Sequence, residues 1–206
     1  MPKDPNSRAG SVVPRSCFLN VPYDRKFERL FLAYISGLAV VGLTPRATVE
    51  LPGGERRLDR ILHLVRSCQF SIHDLSRVEL DRNPPKTPRF NMPFEAGLTV
   101  GSHSSGHAKR AWFLFEAVHR RMDKSLSDLS GTDAYIHEGK IQGVFRQLNN
   151  AFHLDGASVH DMWYVYKDLR TALPIILKET GSKTAYERAA FRELVVAASG
   201  SAHKSR

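Results

Sequence analysis

Between residues 17 and 153 short apolar runs alternate with longer stretches whose apolar positions recur at helical spacing. CFLNV (17–21) is the kind of continuous apolar run that a parallel strand buried on both faces requires. Residues 25–41 follow as a helix, with Phe27, Leu30, Phe31, Tyr34, Leu38 and Val41 on one stripe and Gly42 as its stop. TPRAT (44–48) reads as a second strand and Pro52-Gly53-Gly54 as a loop. A helix over 55–67 carries Leu58, Ile61, Leu62 and Val65 on one side. Residues 69–74 give a third strand, 91–102 a third helix, and AWFLFE (111–116) a fourth strand. A shorter strand over 132–136 and a helix over 140–153 complete the series. Strands and helices in strict alternation predict a doubly wound α/β domain with a mostly parallel sheet over 15–155.

From residue 156 to 198 the pattern changes to helices alone. Met162, Trp163, Tyr166, Leu169 and Leu173 share one face of a segment that Pro174 is expected to interrupt or kink. Thr184 to Glu187 matches a capping box, opening a helix with Phe191, Leu194, Val195 and Ala198 as its stripe. Two such faces predict a C-terminal helical extension that forms a dimer contact or covers a sheet edge. Both ends of the chain, 1–14 and 199–206, read as disordered.

Composition narrows the class without naming it. The chain has 206 residues, 42% of them hydrophobic and 25% charged, which suits a globular domain with a sizeable core. No apolar run approaches the roughly 20 residues that span a bilayer. The opening MPKDPNSRAGSVVPRS lacks the apolar core of a signal peptide, and Cys17 and Cys68 read as buried reduced thiols, so a cytoplasmic protein is expected. No Cys/His spacing matches a metal site. The net charge of +9 permits anionic partners. Its basic residues are spread out (Arg56, Arg57, Arg60 and Arg66 on one helix; Lys109, Arg110, Arg120, Arg121 and Lys124 around a strand), and no nucleic-acid recognition signature accompanies them. Solvated faces are therefore favoured over a nucleic-acid surface.

Three segments converge on the carboxyl edge of the predicted sheet, where open α/β folds bind ligands. Asn20-Val-Pro-Tyr23-Asp24 follows the first strand; Asp24 suits a helix N-cap or a ligand contact, and the turn's N–H groups suit a phosphate. It lacks the glycines of a dinucleotide fingerprint. His73-Asp74, with Ser76 and Arg77 behind it, ends the third strand in an acid at a buried edge. Either Asp74 bonds the following loop or Arg77, or it meets a ligand; a lone histidine such as His73 is more often structural. Asn91-Met-Pro-Phe-Glu95-Ala-Gly97 opens the third helix, with Asn91 as N-cap and Pro93 in the first turn. Glu95, expected in that first turn, is accounted for by the helix dipole alone or, as an acid in an otherwise apolar segment, by nucleophilic or acid–base work on a glycosidic bond, and Gly97 is expected to admit a neighbouring backbone.

The order Cys17–Asp24, Ser71–Ser76, Asn91–Gly97 resembles the nucleoside 2-deoxyribosyltransferase superfamily and the TIR-like predicted nucleotide-binding proteins related to it. The resemblance covers about residues 16 to 150. It implies a flavodoxin-like, TIR-like fold, a catalytic carboxylate at Glu95 acting at the sugar C1′, and a ribose-binding carboxylate at Asp74. It also implies a cytoplasmic homo-oligomer with no resident cofactor, whose NAD or nucleoside is substrate. Arg77 or Arg89 would neutralise phosphate, and Asn20, Tyr23, Asp24, Ser76 and Asn91 would line the remainder of the substrate site. The transferase's Gly-Thr element is replaced here by Arg89-Phe-Asn-Met-Pro, which favours sugar–nucleotide contact of the NAD type over deoxyribosyl transfer.

Two functions follow as expectations. One is an N-glycosidic hydrolase or transferase acting on a nucleotide, of the kind that TIR-like domains supply to bacterial defence. The other is a non-catalytic nucleotide-binding or protein-interaction module.

Overall fold

In the computed structural model five short strands lie side by side, all parallel, in the order β2-β1-β3-β4-β5. The structure describes residues 15–51, 54, 56–77, 84–103, 110–129, 131–154 and 158–205; the expected disorder of 1–14 lies outside them. The strands are β1 (Ser16–Asn20), β2 (Thr44–Arg46), β3 (Phe70–Asp74), β4 (Ala111–Glu116) and β5 (Tyr135–Ile136). The helices are α1 (Glu28–Val41), α2 (Arg57–Ser67), α3 (Asn91–His103), α4 (Arg121–Ser125), α5 (Ile141–Ala151), α6 (Ser158–Thr180) and α7 (Arg188–Lys204). This is the doubly wound α/β fold that the alternation predicts, in the strand order of flavodoxin-like proteins.

Strand alternation divides the core into two faces. Cys17, Leu19, Ile72 and Phe115 meet α1 and α5 in the larger cluster, where Phe31, Tyr34, Ile35, Leu38, Phe145 and Leu148 are buried. Phe18 faces α2 through Ile61, Leu64 and Val65, while Leu114 and Leu75 pack with Met92, Ala96 and Met122. A third layer lies outside α1. There α6 and α7 pack on α1 and on each other, burying Met162, Val165, Tyr166, Leu169, Phe191 and Leu194. The apolar stripes of the extension are thus covered within the chain, on a helix layer, with α7 also reaching the edge strand β2. A dimer is not needed to bury them.

Several boundaries differ from expectation for identifiable reasons. The strand expected over 44–48 stops at Arg46, because the Glu50 carboxylate takes the Ala47 N–H at 2.9 Å and draws Thr48–Glu50 into a 3-10 turn. Pro174 does not interrupt α6, which runs on to Thr180. Packing against α1 and α7 outweighs the lost hydrogen bond. The helix expected from Thr184 starts at Arg188: the Glu187 carboxylate does accept the Thr184 N–H at 3.1 Å, but it closes a turn ahead of the helix. The tail expected to be disordered over 199–206 is helical to Lys204, with Ala198, Ser201 and Ala202 buried and the Ser201 hydroxyl donating to Asp168 of α6. Small residues carry little hydrophobic signal, yet they let α7 lie close to its neighbours.

Candidate functional site

Between β1 and β3 the winding of the sheet reverses, and outside the carboxyl ends of strands at such a switch point is where open α/β sheets form their ligand crevice. Asn20 ends β1 in register with His73 on β3. The Asn20 amide donates to His73 Nδ1 at 2.9 Å and to the Met92 carbonyl, in the first turn of α3, at 3.3 Å. One side chain thereby ties β1, β3 and α3 together. Accepting at Nδ1 places the His73 proton on Nε2, which faces Ser71 Oγ at 3.2 Å. His73 is fully buried and serves this brace. Asn20 Oδ1, also buried, has no hydrogen-bond partner. A buried amide oxygen left unmatched is costly and marks a place for a donor.

Glu95 sits in the second turn of α3, where the apolar helix packs beside the sheet, and is 3% exposed. Its carboxylate meets Arg57 at the start of α2, with Nη2 to Oε1 at 3.2 Å. Burial raises the Glu95 pKa, and the Arg57 charge and hydrogen bond oppose that rise. Tyr23 lies on the same side. Its hydroxyl is 3.1 Å from Thr48 Oγ1, and burial, with the Glu95 charge adding to it, pushes its pKa up to about 12. The phenol is therefore a neutral hydrogen-bonding group beside a buried carboxyl.

Asp24 organises the rim. Its Oδ1 accepts the N–H groups of Lys26 and Phe27 at 2.9 and 3.1 Å, the local cap that its position suggested. Its Oδ2 pairs with Arg77 Nε at 3.1 Å and Arg89 Nη1 at 3.5 Å. The two arginines assigned to phosphate are thus gathered at one point on the crevice, held there by Asp24. Asn91 stands exposed at the first helical position of α3. Gly97, expected to meet a backbone, instead faces open space, beside Phe94, which is 57% exposed.

Asp74 is placed otherwise. Alternation along β3 sends His73 toward Phe18 and Asn20 and Asp74 toward α1, on the opposite face. There Asp74 is 0% exposed. Tyr34 donates to its Oδ2 at 2.7 Å, His137 Nε2 lies 3.1 Å from the same atom, and the Ser76 N–H reaches Oδ1 at 2.9 Å. The Tyr34 hydroxyl is held neutral, its pKa raised by burial and by the Asp74 charge. His137 Nδ1 accepts the Gly139 N–H at 3.0 Å, so its proton is on Nε2, which also faces Ser76 Oγ at 3.0 Å. Ser76, His137 and Asp74 are thus adjacent, but serine and aspartate share one ring nitrogen and all three are buried. A nucleophilic triad needs opposite nitrogens. The cluster is a brace joining β3, α1 and the loop after β5, and Asp74 and Ser76, both assigned to the substrate site from sequence, belong to it.

Five residues were missed from sequence: Arg57, Tyr34, His137, and the pair of buried Glu116 with half-buried Arg121. Arg121 closes on Glu116 through both Nε and Nη2, and Glu116 also takes the Ala117 and Val118 N–H groups. A strand ending in Glu116 with Arg121 five residues on was the available signal for that pair; nothing local marks the others. Among the described residues no group of three or more His, Cys, Asp or Glu side chains is arranged to hold a metal, and no helix is long and apolar enough to cross a membrane. Cys17 and Cys68 are buried free thiols, their pKa values raised by burial.

The fold and crevice define a flavodoxin-like, doubly wound α/β protein with a buried carboxylate at its topological switch point. No family model, curated protein or solved structure matches the chain.

Proposed function

We propose that the chain binds a nucleotide at the β1–β3 crevice and acts on its N-glycosidic bond, with Glu95 as the carboxylate at the sugar carbon. The observation that carries this reading is Glu95 itself: a buried acid with a raised pKa, facing one cation, beside the switch point. Asn20 Oδ1 supplies the acceptor for a sugar hydroxyl in place of Asp74, whose oxygens are taken. Arg77 and Arg89 supply positive charge at the rim for phosphate. In the reaction the bond from sugar to base breaks with its electron pair leaving on the base. The Glu95 carboxylate stabilises or captures the sugar cation, and water or a second acceptor completes the transfer.

NAD is the first substrate to try and deoxynucleosides the second. Purified protein is incubated with each and the products are separated by chromatography, wild type beside Glu95→Gln. Loss of at least about 100-fold in the folded variant is expected; unaltered turnover there would refute the assignment. Absence of turnover on every substrate would favour the second reading, a non-catalytic nucleotide-binding or protein-interaction module. The closure of Arg57 over a nearly inaccessible Glu95 is the observation on its side.

A further inference from the structure

Two buried carboxylates in this chain meet arginine in different ways. Arg121 grips Glu116 with two nitrogens, and two backbone N–H groups complete the cradle. Such forked contact suits a permanent pair. Arg57 touches Glu95 through one nitrogen at 3.2 Å. Its side chain is 51% exposed, against 4% for that of Glu95. A guanidinium carries five N–H donors, so an exposed one held by a single bond has donors to offer a second anion. Glu95 has no comparable alternative: among the described residues Arg57 is the cation that faces it, and Tyr23 is the other ionisable group close by. Arg57 also stands at the first position of α2, where peptide N–H groups lack intrahelical partners and an arriving anion is favoured. The unmatched Asn20 Oδ1, on the side chain that holds the first turn of α3, is an independent mark of a buried acceptor at the switch point with capacity for a donor.

We propose that Arg57 is an exchangeable counter-ion: an anionic group of the ligand, a phosphate by the reading above, takes its guanidinium from Glu95 as the ligand enters. Glu95 is thereby left without a charged partner when the sugar arrives beside it. Arg57 is on this account a positioning residue with two alternative anions, and the proposal rests on the crevice being the nucleotide site. Its consequence is competition. Glu95 and the incoming anion draw on the same guanidinium, so removing the Glu95 charge strengthens anion binding, whereas removing Arg57 abolishes it.

Sulfate is a suitable probe, since it presents the tetrahedral oxygens of phosphate and keeps one charge state near neutrality. Its affinity is measured by calorimetry on the full chain for wild type, Glu95→Gln, Arg57→Gln, Arg57→Lys and the double variant Glu95→Gln/Arg57→Gln, each checked for a cooperative melt. Glu95→Gln is expected to bind about tenfold tighter than wild type, the scale of one charged hydrogen bond released. Arg57→Gln loses binding in both backgrounds, and Arg57→Lys, which restores charge without the fork, recovers part of it. The proposal is overturned if Glu95→Gln binds no tighter than wild type, if Arg57→Gln binds as wild type does, or if no variant binds sulfate. Failure of the glycosidic reading shows elsewhere, as unaltered turnover in Glu95→Gln, and leaves the sulfate series intact.

Discussion

Replacing Asp74 by alanine tests whether this acid is a brace or a ligand group. The side chain is fully buried and accepts from three donors: the Tyr34 hydroxyl, the Ser76 N–H and His137 Nε2. Asp74→Ala leaves the Tyr34 hydroxyl and the Ser76 N–H without an acceptor in a dry interior, at about 1–3 kcal/mol each, while His137 Nε2 keeps Ser76 Oγ at 3.0 Å. Part of that loss is offset because a buried charge disappears as well. A net destabilisation of roughly 2–4 kcal/mol follows, a large share of the about 5–15 kcal/mol that holds a typical domain folded. For a chain of this length each kcal/mol moves Tm by about 2–4 °C, so a drop on the order of 5–15 °C is expected. Tyr34→Phe removes one donor and no volume from the core; its cost is about 1.5–3 kcal/mol, the range for a hydrogen bond to a charged group. Thermal and urea unfolding followed by circular dichroism measures both. If Asp74→Ala unfolds within about 1 kcal/mol of wild type while nucleotide binding is lost, the brace is wrong and Asp74 is a ligand group after all.

Two other perturbations read different parts of the same architecture. A Cβ at Gly143 would lie 2.1 Å from the His137 carbonyl oxygen and 2.7 Å from its carbon, so Gly143→Ala must push the β5–α5 loop away; a loss of about 1–3 kcal/mol is expected, and an unchanged urea midpoint would show that the loop yields freely. Glu95→Gln probes the raised pKa. Because burial raises the folded value above the unfolded one, the stability tied to protonated Glu95 is complete below the ordinary glutamate range and is lost as pH climbs through the raised value. The glutamine variant, which mimics the protonated form, should therefore match wild type near about pH 4 and melt above it at neutral pH. A wild type that is the more stable at neutral pH would mean that Arg57 more than compensates for burial.

Which of these features could be read from the chain follows from how far apart the interacting residues lie. Period-2 and period-3.6 patterns depend on neighbours a few residues away, so AWFLFE as a strand and the Phe27–Val41 stripe as a helix were legible without any partner, and β4 falls on the expected residues. The strand–helix alternation then leaves few topologies, because parallel crossovers have one hand. Glu95 was legible too, as an acid in an apolar segment whose burial follows from the company it keeps. Partner choice was not legible. Arg57 reaches Glu95 from 38 residues away, Tyr34 reaches Asp74 across 40, and Ser76 meets His137 across 61. Alternation does put His73 and Asp74 on opposite faces of β3, but only the placement of α1 over one face and of α2 and α3 over the other decides which residue enters the crevice and which enters the brace. The same holds for the last two helices. Their apolar stripes state in the sequence that something must cover them; that α1 does so, within one chain, is a consequence of where the completed sheet leaves α1 exposed. Local pattern sets what each segment is, and the packed fold sets what each side chain meets.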